Sequence, residues 1–212
     1  ADDADDNAAA ADGADSASDG APPLLSAELR CAPAARAARA ARTCTVHRRF
    51  HAKLRGRPAR VTIDSGDQTF SASSDCAALC ELPIGAASGL HCIEIEIVEL
   101  RAERNRDHGW IGMMSPESAR TLAPPGRAAL SVALTNNGRV YRADTVELNK
   151  EQRMYSKGDR LRMEFDAATH TLRWLKGGRV LAAAGGIPDG WHFAVGRYYG
   201  EPKLRIVAAA AA

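Results

Sequence analysis

Residues 88–97 read Ser-Gly-Leu-His-Cys-Ile-Glu-Ile-Glu-Ile, a turn followed by a strand in which Ile93, Ile95 and Ile97 alternate with Glu94 and Glu96. Successive side chains of a strand point to opposite faces, so the isoleucines go to a core and the glutamates to water or to partners across the sheet. Such a strand belongs to an antiparallel sheet with one covered face. It is scaffold and should bind nothing itself.

Strand after strand repeats this pattern from residue 58 to 207, at the spacing of an all-β, two-sheet antiparallel sandwich. Strands are expected at 60–64, 69–73, 79–84, 90–100, 110–114, 129–135, 139–142, 160–166, 171–176, 179–183, 192–198 and 203–207. Turn chemistry fills the gaps. Asn136-Asn137-Gly138 and Gly177-Gly178 suit tight hairpins because Asn and Gly tolerate positive φ. No repeat of 20 to 50 residues is present.

The 212 residues leave room for one domain of about 150 residues with extensions. Apolar residues make up 45%, charged residues 25% and the net charge is +2, as in ordinary globular proteins. The apolar runs are far shorter than the ~20 residues of a membrane-spanning helix. The acidic opening lacks the basic-then-apolar pattern of a secretory signal, although a chain beginning at Ala1 leaves room for upstream sequence. Cys31, Cys44, Cys76, Cys80 and Cys92 cannot all pair, and reduced thiols in an intracellular, cytoplasmic setting are expected.

Two segments precede the sandwich. Residues 1–23 carry seven Asp among many Ala and no apolar periodicity, the composition of a disordered acidic tail. Residues 24–57 reverse the sign, with nine basic residues against Glu28. Their Ala content favours helix, and Arg36, Arg39 and Arg42 would form a basic stripe. That stripe could meet nucleic acid or another acidic surface, or belong to an organelle-targeting segment. The preferred reading is a solvated helix leading into the domain. Residues 208–212 form a poly-Ala tail.

Cys44, His47 and His51 have the C-x2-H-x3-H spacing of zinc ligands, but Cys31 stands alone where a second paired cysteine would be needed. The set therefore reads as a buried thiol and two surface histidines, with no metal or cofactor assigned.

Several segments in order carry a family resemblance. Residues 88–97 resemble the SG-x-HYWEV signature of the SPRY domain family, with Cys92 and Ile93 where Tyr and Trp are usual. Gly109-Trp110-Ile111-Gly112-Met113 resembles its next strand, and Asn137-Gly138-Arg139-Val140-Tyr141 its NG-x-x-Y hairpin. Gly158-Asp159-Arg160-Leu161 through Asp166, His170 to Trp174 with Gly178, and Trp191 to Val195 resemble the later strands. A tryptophan usual before the hairpin is replaced by Leu130-Ser131-Val132, and with three Trp and four Phe the core is more aliphatic than is usual.

The resemblance implies a concanavalin-like jelly roll that binds protein or peptide partners through loops at one end and is not catalytic. The nearest detailed likeness is to SPRY-and-SOCS-box proteins, although no SOCS box follows residue 207. It places a partner site at Tyr198, Tyr199 and Gly200, where those proteins carry Val-Trp-Gly. Glu81 falls where they carry a pocket arginine. Arg120, Thr121 and Leu122 represent a third loop, and Arg104 and Arg106 a polar rim in residues 101–108. One of the adjacent tyrosines should be structural, because strand neighbours face opposite ways.

Rival functions are weaker. His91, His108, His170 and His192 are scattered, and no G-x-S-x-G, H-E-x-x-H or P-loop is present, so no enzyme is expected. A glycan-binding reading rests only on Asp64-Ser65-Gly66-Asp67, which reads equally well as a turn. The alternative is a fixed subunit of a ciliary, chromatin or ribonucleoprotein assembly, docked through the sandwich and the basic segment.

Overall fold

A computed structural model describes residues 44–55, 61–63, 66, 68–73, 75–81, 83–84, 89–100, 107–121, 123–150 and 154–207. These form fifteen strands in two stacked sheets. They are β1 (Cys44–Val46), β2 (Phe50–Arg55), β3 (Val61–Ile63), β4 (Thr69–Ala72), β5 (Cys76–Cys80), β6 (Leu90–Glu99), β7 (Trp110–Met114) and β8 (Ser131–Leu134). The rest are β9 (Arg139–Arg142), β10 (Thr145–Asn149), β11 (Arg160–Asp166), β12 (Thr171–Lys176), β13 (Arg179–Ala184), β14 (His192–Arg197) and β15 (Lys203–Val207). Sheet I runs β13-β12-β11-β6-β15-β4-β3, with β1 joined to β6 in parallel. Sheet II runs β10-β9-β8-β7-β14-β5-β2 and is antiparallel throughout.

β6 is the spine of sheet I, and its alternation does what the sequence expects. Ile93, Ile95 and Ile97 have no exposed surface and meet Ile111, Met113, Phe193 and Val195 of sheet II in one core. On the other face Glu96 receives the Arg205 guanidinium, with Nε at 3.0 Å, and Glu94 lies 3.9 Å from Arg160. All four Phe are fully buried, as is Trp174, whose indole donates to the Ile111 carbonyl at 2.8 Å. Fully burying a side chain of that size contributes roughly 1.5–3 kcal/mol. All four Phe and Trp174 lie in this one core.

The hairpins form where glycine allows them. Gly138 (φ 82°) closes β8–β9, with its N–H on the Thr135 carbonyl at 3.1 Å, and Gly177-Gly178 (φ 56° and 78°) close β12–β13. The β9–β10 turn is made without glycine, by Ala143 (φ 46°) and Asp144 (φ 67°).

Several expectations are corrected. Residues 44–46 and 50–55 are strands, not helix, and the sandwich starts upstream of residue 58. Phe50, Ala52 and Leu54 alternate with His51, Lys53 and Arg55, and that period of two outweighs basic composition. The strand expected at 79–84 lies at β5 instead. Its Cys-Ala-Ala-Leu-Cys run is buried at every position, so it lacks the alternation that marks one covered face. His47 is buried, not a surface residue. Cys76 and Cys80 are free thiols, but Cys92 is disulfide-bonded, so the cysteines are not all reduced. The acidic tail, the basic residues up to 43 and the poly-Ala end lie outside the described residues, as does Cys31. No described helix is long and apolar enough to cross a membrane.

Sheet II is covered on its outer face too. Residues 115–121 and 123–130 fold back across it, and the 3-10 turn Ser118–Arg120 sets Ala119 against Ala77, Leu79, Met114, Ala128 and Ala194. Small residues make this close approach possible. A Cβ on Gly196 would lie 2.8 Å from Pro124 Cβ and from the Cys76 carbonyl oxygen; one on Gly112 would collide instead with the neighbouring strand β8, at the Val132 carbonyl oxygen and 2.6 Å from Ala133 Cα. Gly112→Ala should therefore cost more than about 2 kcal/mol in urea unfolding, whereas Gly185→Ala, which meets nothing within 4 Å, should stay within about 0.5 kcal/mol of the parent.

Candidate functional site

Strand parity places a cleft on the outer face of sheet II, at the end where the covering segment stops. Ile111 and Met113 of β7 face the core, so Trp110 faces out; Phe193 and Val195 of β14 do the same, so Tyr198 emerges beside it. On β9, Val140 is buried and Arg139 and Tyr141 point to the same outer side. Asp107, Arg127, Asp144 and Tyr199 complete the lining of a cavity of about 450 Å³.

Asp107 organises one wall. It is almost fully buried, and its carboxylate accepts from the Thr135 hydroxyl at 2.9 Å, the Tyr141 hydroxyl at 2.9 Å and Arg139 Nη1 at 3.3 Å. Burial and the adjacent carboxylate push the Tyr141 phenol above its ordinary range, so it remains a proton donor. The next residue, His108, is fully buried and its backbone N–H donates to Asn136 Oδ1 at 2.7 Å. Beneath the wall Tyr155, also fully buried, donates to the Gly109 carbonyl and lies 3.1 Å from the Leu134 carbonyl.

The other wall is built on Arg127. Its Nε bonds Asp144 Oδ1 at 2.6 Å, and its guanidinium lies 4.0 Å from the Tyr198 ring centroid. The Asp144 hydrogen bond raises the Arg127 pKa further above its ordinary value. Asp144 is held in turn through its own N–H, which donates to the Gly126 carbonyl at 2.8 Å. Gly126 (φ 90°) packs where a Cβ would come within 3.1 Å of both Trp110 and Tyr141.

Aromatic contacts join the walls. Trp110 lies 4.7 Å from Tyr141 and 6.1 Å, edge-on, from Tyr198, which is itself edge-on to Tyr199 at 4.3 Å. Tyr199 pairs with His108 through an isolated parallel bridge and is 39% exposed, one of four large apolar residues that face solvent among the described residues. Gly200 (φ 70°) accepts from Arg197 Nε, and a Cβ there would sit 2.6 Å from His108 Nδ1. One tyrosine is thus packed and its neighbour presented, as strand parity requires.

Solved structures share this arrangement of two sheets. The SPRY domain of human HERC1 superposes with a TM-score of 0.61 at 15% identity, over 77% of this chain and 99% of that one. The TRIM65 PSpry domain gives 0.58 at 13%, over 77% and 94%. A human SPRY domain gives 0.51 at 21%, over 72% and 98%. The fold is that of a SPRY domain. No family model matches the chain, and no curated protein matches it.

The SPRY scaffold brings some expected site residues together and separates others. Tyr198, Tyr199 and Gly200 all lie at the cleft. Glu81 does not: the register Arg197↔Cys76 puts the start of β5 near the cleft, and Glu81 follows its other end, donating its N–H to the Arg49 carbonyl at 2.9 Å. Arg120 and Thr121 sit on the covering layer, Thr121 bonded back to the Ser118 carbonyl, whereas Arg127 of the same segment reaches the cleft. Leu122, Arg104 and Arg106 lie outside the described residues. Among the described residues no three His, Cys, Asp or Glu are placed to hold a metal.

Asp107, Trp110, Arg127, Arg139, Tyr141 and Asp144 join the site without having been expected there from sequence. Arg139 and Tyr141 were within reach, since they alternate with Val140 in the hairpin. Asp107→Ala should leave Thr135, Tyr141 and Arg139 without their acceptor and cost about 2–3 kcal/mol in denaturant unfolding, with Asp107→Asn closer to the parent.

Proposed function

We propose that this protein is a recognition module that holds a protein or peptide partner at the Trp110–Tyr198 end of the sandwich and carries out no chemistry of its own. The observation that carries this reading is Tyr199, an exposed ring on the rim of a cleft of about 450 Å³ whose walls are fixed by hydrogen bonds and ion pairs. A preorganised aromatic is a good interface anchor, since it offers large contact area at little entropic cost. Both arginines of the cleft are engaged by carboxylates of the same protein, Arg127 by Asp144 and Arg139 by Asp107. Their guanidiniums are therefore oriented before a partner arrives, and remain about one third exposed to it.

The SPRY fold supports the reading in kind, because such sandwiches commonly serve protein interaction. Loops at the end of a rigid sandwich vary without disturbing its core.

The test begins with affinity purification on the tagged chain and continues with titration calorimetry of the captured partner. Tyr199→Ala should weaken binding about tenfold or more while the melting temperature hardly moves. Glu81→Ala and Arg120→Ala should bind as the parent does. Undiminished binding by a folded Tyr199→Ala protein, or loss of binding in Glu81→Ala, would place the site elsewhere.

A further inference from the structure

The end of the sandwich away from the cleft collects four of the six histidines. His47, between β1 and β2, donates its backbone N–H to the Cys92 carbonyl at 2.9 Å. Its Nε2 lies 3.4 Å from Nδ1 of His91 on β6, and its ring stands edge-on to Phe193 of β14 at 4.9 Å. His91 in turn lies 6.4 Å from Phe165, which meets His170 at the same distance. His192 opens β14, with Nδ1 2.8 Å from the Cys80 carbonyl oxygen. His47, His91 and His192 are all buried.

Two neutral imidazoles can share this geometry, one donating its single N–H to the bare nitrogen of the other. A protonated imidazole carries an N–H on both nitrogens. The second nitrogen of His47, Nδ1, is buried with no hydrogen-bond partner. Protonation would therefore leave a buried charged donor unanswered, and protonation of both rings would set N–H against N–H. The groups that face the pair give little relief. His91 on β6 and His192 on β14, once protonated, repel a charge on His47, and Phe193 and Phe165 are apolar. The carboxylate that acts here is Asp189, on His91 and, at 3.9 Å, on His170.

We propose that the His47–His91 pair is an acid-sensitive latch, which in mildly acidic solution releases residues 47–49 from β6 and the end of β5 while the rest of the sandwich, the buried Phe50 and the cleft included, stays folded. Few backbone bonds oppose the release. They include His47 N–H to the Cys92 carbonyl and Glu81 N–H to the Arg49 carbonyl, each at 2.9 Å. Burial, then His91 and His192, lower His47 from 6.5 to about 4, and burial lowers His91 against the opposing pull of Asp189. A depressed value means that the opened state binds protons more readily than the closed one. Closure is therefore fully stable above about pH 6.5 and is lost as the pH falls toward about 4.

Amide hydrogen exchange on the whole protein, expressed as protection factors to remove the intrinsic pH effect, tests the latch. Between about pH 7.5 and about pH 5, protection at the His47 and Glu81 amides should fall about tenfold or more while that of β11 and β12 holds. His47→Phe should abolish the difference. Should that variant fail to fold, imidazole NMR of the parent decides: His47 and His91 should take up protons in the same pH range in which the two amides lose protection. Unchanged protection at both amides, an equal fall in every strand, or protonation of the rings without opening would each overturn the proposal.

Discussion

Each strand of this sandwich divides its side chains between two faces, and in sheet II both faces of the central strands are covered. The rest of the architecture depends on that constraint. The inner face carries Ile111, Met113, Phe193 and Val195 into the shared core. The outer face must then be small, because residues 115–121 and 123–130 lie on it: Gly196 leaves the room that Pro124 and Pro125 occupy, and Ala77 and Ala194 face Ala119 and Ala128. Where this covering ends, the outer positions of β7 and β14 change from Gly112, Ala194 and Gly196 to Trp110 and Tyr198, and β9 adds Tyr141. The cleft is the uncovered end of a face that is otherwise closed.

Electrostatics then fixes the cleft's shape. Asp107, Arg127 and Asp144 come from connecting segments, and each is tied to a strand residue or to another connection: Asp107 to Thr135, Arg139 and Tyr141, and Arg127 to Asp144 and Tyr198. Pairs this exposed contribute modestly to stability, on the order of 0–1 kcal/mol for Arg127–Asp144. Asp107 is different, because a buried carboxylate serving three donors is costly to leave incomplete. The cleft end holds charges that are matched around the buried His108, and at the far end His47 and His91 form a buried pair of imidazoles.

Much of the fold was legible in sequence. β6 announced itself by alternation, and β7, β9, β11, β12 and β15 have the bounds read from it, several of them bracketed by Gly-containing hairpins. What escaped had physical reasons. β2 hides its alternation inside a basic stretch, β10 is a short exposed edge strand, and β5 is buried on both faces and so shows no period at all. The site was legible in part. Tyr198-Tyr199-Gly200 follow directly from the end of β14, and their places depend on one strand. Glu81 depended on the placement of β5, and the observed register carries it to the opposite end of the sandwich. Asp107, Arg127 and Asp144 are brought together from separate connections, so no local pattern could mark them.

The central claim is that partners engage the uncovered end of sheet II. Amide chemical-shift mapping with the captured partner tests it most directly. The account predicts perturbations concentrated at residues 107–110, 126–127, 139–144 and 198–200. Perturbations concentrated instead on the Glu94–Arg205 face of sheet I, or around His47 and His91, would contradict it.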